Sequence, residues 1–236
     1  MKYSVLLDSR FGQFIVNRHD VYYPQYILKD NEPPAAHQVD FLLDIIKQFS
    51  PGAVCIDIGA HIGHMTVPLA KQLANSNGTV YAFEIQRLVY YMLCGNIALN
   101  NLTNVHCIRK AAYNTITEIN LPPIDYFTNN NFGGYTLKDQ TEVAEQLETI
   151  TIDGLNLSRI DLIKIDVEGL EEKVIEGAHN TLSGARPLLF IEYNLSSLSL
   201  INKIKSYGYK VFDYDGANCF CIHESSTINH QLSKLM

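Results

Sequence analysis

The stretch AVCIDIGAHIGHMTVPLA, from Ala53 to Ala70, decides the fold. It opens as a short apolar run suited to a buried strand, turns at Gly59 and Gly63, and continues as a helical pattern. A strand running into a glycine turn presents backbone N–H groups and lets a ligand approach where a Cβ would block it. A dinucleotide site would carry a glycine two positions after Gly59 to admit a pyrophosphate, and His61 stands there instead. Asp57, just before the turn, adds a carboxylate that repels phosphate and favours a cationic ligand.

Outward from this stretch, strand-like runs recur at 53–58, 78–85, 104–112, 159–167, 186–194, 209–215 and 217–223. Helical spacing fills 63–75, 87–100, 168–182 and 196–206 between them. This alternation predicts an α/β fold: a mostly parallel sheet with helices on both faces. An Asp-Gly turn joins the last two runs into a hairpin, so one strand at that end is antiparallel. Upstream, FGQFIVNR reads as a strand and Ala36 to Phe49 as an amphipathic helix with Val39, Leu42, Leu43 and Ile46 on one stripe. Residues 1–52 are expected to form a small N-terminal cap on the same domain, 53–223 the core and 224–236 a tail. The irregular stretch 121–139, with Tyr126, Phe127, Phe132 and Tyr135, is a candidate substrate wall or a surface loop.

Of the 236 residues 47% are hydrophobic and 18% charged, which suits a globular core. A net charge of −7 without a local Lys/Arg cluster argues against nucleic acid as a partner. The N-terminus has only Val5-Leu6-Leu7 before charged residues, and no apolar run is long enough for a membrane span, so the expectation is no membrane and a cytoplasmic location. Cys55, Cys94, Cys107, Cys219 and Cys221 lack metal-site spacing and read as reduced, packed thiols.

Glu84 closes the second core strand, where α/β nucleotide folds place an acid that accepts both ribose hydroxyls. A free ribose, a positive group and no pyrophosphate together describe S-adenosyl-L-methionine as the cofactor. In DLIKIDVEG, Lys164, Asp166 and Glu168 alternate, so they share one side while the strand stays extended. A salt bridge accounts for Lys164 but not for two further acids. Asp57, Glu84, Asp166, Glu168 and Glu192 all fall at the carboxyl ends of strands, the edge where open α/β sheets bind ligands.

The runs VCIDIGAHIGHMT, YAFEI, TIDGL, IDLIKIDVEGLEEKVIEGAHNTL and PLLFIEYN resemble the FkbM-type family of S-adenosylmethionine-dependent methyltransferases, across roughly residues 50–195. The resemblance implies a Rossmann-like class I methyltransferase sheet of seven strands in the order 3-2-1-4-5-7-6 with the last antiparallel. It also implies O-methylation of a hydroxyl on a saccharide or small natural product. Carried over, Asp57, Gly59, Ala60, His61, Gly63, Thr66, Glu84 and Ile85 form the cofactor site. His61 stands where the family usually has Asn, and Gln86 where a proline commonly follows the ribose acid. A competing reading leaves His61 and His64 as surface-facing histidines without a role.

Methyl transfer to a hydroxyl needs alignment and benefits from a base. Asp166 is the candidate base and Glu168 the group that orients it or the acceptor. A divalent metal on Asp166, Glu192 and Asn194 is the less favoured route. Other readings are an N-methyltransferase on a peptide or amine, a dehydrogenase, and a non-catalytic cofactor-binding module. Tyr22, Tyr23, Tyr26, Glu32 and His37 of the cap are further candidate walls for a small-molecule or saccharide acceptor.

Overall fold

The computed structural model describes residues 2–137, 142–193 and 197–226. A hairpin of β1 (Ser4–Ser9) and β2 (Gly12–Asn17) leads into α1 (Tyr23–Asp30) and α2 (Ala36–Ile46). Then come β3 (Val54–Ile58), α3 (Thr66–Ala74), β4 (Thr79–Phe83), α4 (Arg87–Leu99) and β5 (Val105–Ile108). β6 (Ala111–Ala112), β7 (Glu118–Leu121) and β8 (Glu145–Ile150) form a small side sheet. β9 (Leu162–Ile165), α5 (Glu171–Glu176), α6 (His179–Gly184), β10 (Leu188–Glu192), α7 (Leu198–Ser206), β11 (Tyr209–Asp213) and β12 (Asn218–His223) follow.

The main sheet has seven strands in the order β11-β12-β10-β9-β3-β4-β5. The pairs among β5, β4, β3, β9 and β10 are parallel, whereas β12 runs antiparallel to both β10 and β11. Apolar content sets the position of each strand: LIKI of β9 is buried throughout and lies at the centre, covered on both faces. One face packs Leu42, Ile45, Leu69 and Leu93 of α2, α3 and α4 against Phe190 and Phe220. The other packs Val174, Leu182 and Ile204 of α5, α6 and α7 against Ile56 and Ile163. Each such side chain contributes about 1.5–3 kcal/mol when fully buried.

The N-terminal segment shares the first of these cores through Phe14, Val16, Tyr23, Ile27 and Val39. Asn96 of α4, fully buried, accepts from the Ile15 N–H and donates to the carbonyls of Ile15 and Ile62. One amide thus pins the hairpin to both the helix and the glycine turn.

Several sequence expectations are corrected in detail. The strand expected over 159–167 ends at Ile165, because Glu168 and Gly169 turn away with φ of +54° and +102°. Alternation on an extended strand therefore carries Lys164 and Asp166 to one side but not Glu168. The helix expected over 168–182 is two short ones. Its break at Gly177 lies against the Tyr113 carbonyl, and the Asp153 carboxylate accepts the backbone N–H groups of Asn180 and Thr181 to restart it. The run 104–112 divides between β5 and β6, which belong to different sheets. Strands β1, β7 and β8 and helix α1 had no counterpart in the pattern. Residues 138–139 of the irregular stretch, residue 196 and residues 227–236 of the expected tail lie outside the described residues. Among the described residues no helix is long and apolar enough to cross a membrane.

The turn after β3 allows no side chain at Gly59. A Cβ there would meet the Asp166 carbonyl oxygen at 1.7 Å, and φ is +78°. Gly59→Ala is expected to destabilise the protein by about 2–6 kcal/mol through strain and overlap. Urea unfolding measures this, and an unchanged midpoint would contradict the close approach.

Candidate active site at the carboxyl edge of the sheet

Glu84 follows β4 and is 5% exposed. Its Oε2 accepts the His61 N–H at 2.9 Å and its Oε1 the Gln86 N–H at 2.7 Å. A proline at 86 could not make the second bond, so this departure from the family pattern strengthens the hold on the acid. Burial pushes the Glu84 carboxyl up to about 7, against the pull of those N–H groups. Gln86 also donates from Nε2 to the Phe132 carbonyl at 2.7 Å, which ties the 121–137 stretch to the end of β4.

Beneath the turn lies a buried charge cluster. Lys164, 2% exposed, stands 3.3 Å from Asp57 and 3.4 Å from Asp166, and donates to the Gly59 carbonyl at 2.8 Å. Thr66 donates its hydroxyl to Asp57 at 2.6 Å. Burial works against the Lys164 charge, but its two acids outweigh it and its ammonium is held well above the ordinary range. Burial also opposes ionisation of Asp166, yet Lys164 and a hydrogen bond with Glu192 prevail and lower it. Glu192 moves the other way, pushed up to about 9 by burial and by Asp166. Glu168 is raised by burial and by the charges of Asp166 and Glu171. Carboxylate oxygens of Asp166, Glu168 and Glu192 lie within 4.8 Å of one another.

Two adjoining clefts open over these groups. The first is lined by Gly59, His61, Glu84, Ile85, Asp166 and Glu168, among others. The second is lined by Tyr22, Gln38, His64, Glu192 and Asn218, again with Asp166 and Glu168. Tyr23 of α1 belongs to both, with its ring 4.4 Å from that of His61 and its hydroxyl 3.1 Å from His64 Nδ1.

Residues 57–211 match the family model described as the methyltransferase FkbM domain. The chain belongs to the FkbM methyltransferase family. The structure of FkbM methyltransferase from Methylobacillus flagellatus KT is similar at a TM-score of 0.55 with 19% identity, over 75% of this chain and 44% of that one. Methanocaldococcus jannaschii TYW2, solved in complex with AdoMet, gives a TM-score of 0.49 with 18% identity, over 94% of this chain and 85% of that one. In sequence, the tRNA(Phe) (4-demethylwyosine(37)-C(7)) aminocarboxypropyltransferase of M. jannaschii is 46% identical over 52 residues, which is 22% of this chain and 20% of that protein. The chain thus spans a fifth of that curated relative and under half of the FkbM structure.

Within this FkbM-family chain, Gly59, His61, Glu84 and Ile85 meet in the first cleft with Asp166 and Glu168, while Ala60, Gly63 and Thr66 are buried and line neither cleft. Asp57 is corrected: it is fully buried, engaged by Thr66 and Lys164, and shows no face to the cleft. His61 and His64 are corrected too, since both are buried rather than surface-facing. Glu192 lines the second cleft, and Asn194 lies outside the described residues. Of the candidate walls, Tyr22, Tyr23 and Tyr135 line the clefts. Phe132 is buried, Phe127 is exposed, Tyr126 borders a separate groove, Tyr26 packs beside Tyr22, Glu32 pairs with Arg10 and His37 is exposed beside Asp215. Gln86, Asp20 and Tyr23 had no assigned role in the sequence reading of the cofactor site.

A carboxyl whose folded value is raised stays protonated while the unfolded chain ionises. Glu192 therefore costs no stability below its ordinary value of 4.5, and an increasing amount as pH rises to about 9. Glu192→Gln is expected to melt higher than wild type at mildly alkaline pH, with the gap closing in acid. Parallel melting curves at both pH values would contradict the shift.

Proposed function

We propose that this protein is an S-adenosyl-L-methionine-dependent methyltransferase acting on a hydroxyl of a saccharide or small natural product. The observation that carries the cofactor reading is Glu84: a buried carboxylate on the cleft wall with each oxygen already fixed by one backbone N–H. A carboxylate offers about four lone-pair sites, so two remain for a pair of ribose hydroxyls. Bonds from those hydroxyls would favour its charged form and offset the burial that holds it near 7. Asp166 and Glu168 in the same cleft suit a cationic group, and His61 in place of a glycine disfavours pyrophosphate.

When bound, S-adenosylmethionine supplies an electrophilic methyl group on a sulfonium. The chain's own part is alignment, charge and proton acceptance. Asp166, kept ionised by Lys164, holds negative charge at the junction of the clefts, and the same stabilisation makes it a weak proton acceptor. Glu168, raised by burial, is the better base for the acceptor's hydroxyl. The roles read from the sequence are therefore exchanged, with Asp166 orienting and Glu168 taking the proton. Glu192, protonated at neutral pH, hydrogen-bonds Asp166 and fixes it.

The local 46% identity to an aminocarboxypropyltransferase favours a second reading, in which the same cofactor is cleaved at a different carbon–sulfur bond. The nucleoside product separates the two: S-adenosylhomocysteine from methyl transfer, 5′-methylthioadenosine from aminocarboxypropyl transfer. Calorimetric titration with S-adenosylmethionine is expected to show binding that Glu84→Gln weakens about tenfold or more, as loss of hydrogen bonds to a charged acceptor requires. Binding that is absent in wild type, or equal in the variant, would contradict the cofactor assignment.

A further inference from the structure

The second cleft meets the first at Asp166 and Glu168, and two amides belong to its wall. Gln38 of α2 and Asn218 at the start of β12 both line it, and they are 9% and 8% exposed. Asp215, in the turn between β11 and β12, engages both. Gln38 donates from Nε2 to its Oδ2 at 2.8 Å, and Asn218 Nδ2 lies 3.2 Å from Oδ1 and 3.3 Å from Oδ2. Burial opposes the Asp215 charge, but the bonds from Gln38 and Asn218 and from backbone N–H groups prevail and lower it. An ionised carboxylate only accepts, so Asp215 dictates which end of each amide turns toward it. Gln38 Oε1 and Asn218 Oδ1 are the ends left over. Among the described residues neither oxygen has a protein partner, and neither is sealed from solvent.

Two carbonyl oxygens backed by one carboxylate take a pair of hydrogen-bond donors, and the charge of the cleft selects which. No Lys or Arg is among the described residues that line it, so a phosphate or carboxylate on the ligand finds no counter-charge. Asp166 is already paired with Lys164, and Glu192 keeps its proton at neutral pH, so a cationic ligand finds little free negative charge either. Neutral donors remain, of which the hydroxyl is the ordinary one. Tyr22, 43% exposed in the same cleft, adds an aromatic surface for the apolar side of a ring-shaped polyol.

Resting on the methyltransferase reading above, we infer that Gln38 and Asn218 bind two hydroxyls of an uncharged polyol acceptor, with Asp215 as the residue that positions both amides. Gln38, Asp215 and Asn218 all lie outside residues 57–211, which match the family model, so segments flanking the common domain build this subsite.

The test is calorimetry at neutral pH on the full chain saturated with S-adenosylhomocysteine. The probes are methyl glycosides of neutral hexoses, of the matching hexuronic acids and of the matching amino sugars. A neutral glycoside is expected to bind more tightly than its uronic or amino counterpart. Gln38→Met removes one oxygen and keeps the bulk. Asp215→Asn keeps the Oδ1 that accepts the backbone N–H groups of Ala217 and Asn218 but puts a donor in place of Oδ2, which turns the Gln38 amide over. Both variants are expected to bind the neutral glycoside about fivefold more weakly or worse while binding S-adenosylhomocysteine as wild type does, a split that general misfolding does not produce. Preference for a charged glycoside, unchanged binding of the neutral one in either variant, or no glycoside bound by a wild type that does bind S-adenosylhomocysteine would overturn the inference and leave the cofactor reading standing. A wild type that binds no S-adenosylhomocysteine would remove both.

Discussion

One buried cation organises the ligand edge of this protein. Lys164 sits in the central strand β9 between the carboxylates of Asp57 and Asp166 and donates to the carbonyl of Gly59. Three structural statements follow from that position. The turn after β3 is held against the end of β9, Asp57 is paired with Lys164 behind the turn, and Asp166 is kept charged in front of it. A buried pair of this kind contributes little net stability, because desolvation offsets the attraction, but removing one partner strands a charge at a cost of about 3–5 kcal/mol. Its value here lies in geometry. The turn that Lys164 fixes is the one whose His61 N–H orients Glu84.

From that turn the charge pattern spreads along the edge in a graded way. Asp166 is held low by Lys164, Glu168 is raised, and Glu192 is raised furthest, to about 9. Three neighbouring carboxyls are therefore moved differently from their ordinary values, although their chemistry is the same. Environments that push such groups apart allow one edge to combine a fixed negative charge, a proton acceptor and a hydrogen-bond donor.

How much of this was legible in the sequence depended on how local each cause was. The parallel sheet, the turn at Gly59 and Gly63, and the acids at strand ends are set by short apolar runs and the residues that stop them, and these stand out in one pass. Asp57 was misread as a cleft group because its burial depends on Thr66 in α3 and Lys164 in β9, whose packing no spacing rule reveals. Glu168 reaches the acidic cluster through a left-handed turn rather than through strand alternation. Asp20 and Tyr23 were hidden by distance, since only the packing of α1 brings them to His61. The strand β8 was missed because it belongs to a side sheet outside the α/β alternation that guided the reading.

The most direct measurement of the whole account is a crystal structure of the protein with S-adenosylhomocysteine. The predicted result places the ribose hydroxyls on the two oxygens of Glu84, with the Lys164 cluster undisturbed. A nucleoside seated away from Glu84, or a turn at Gly59 rebuilt to admit the ligand, would contradict it.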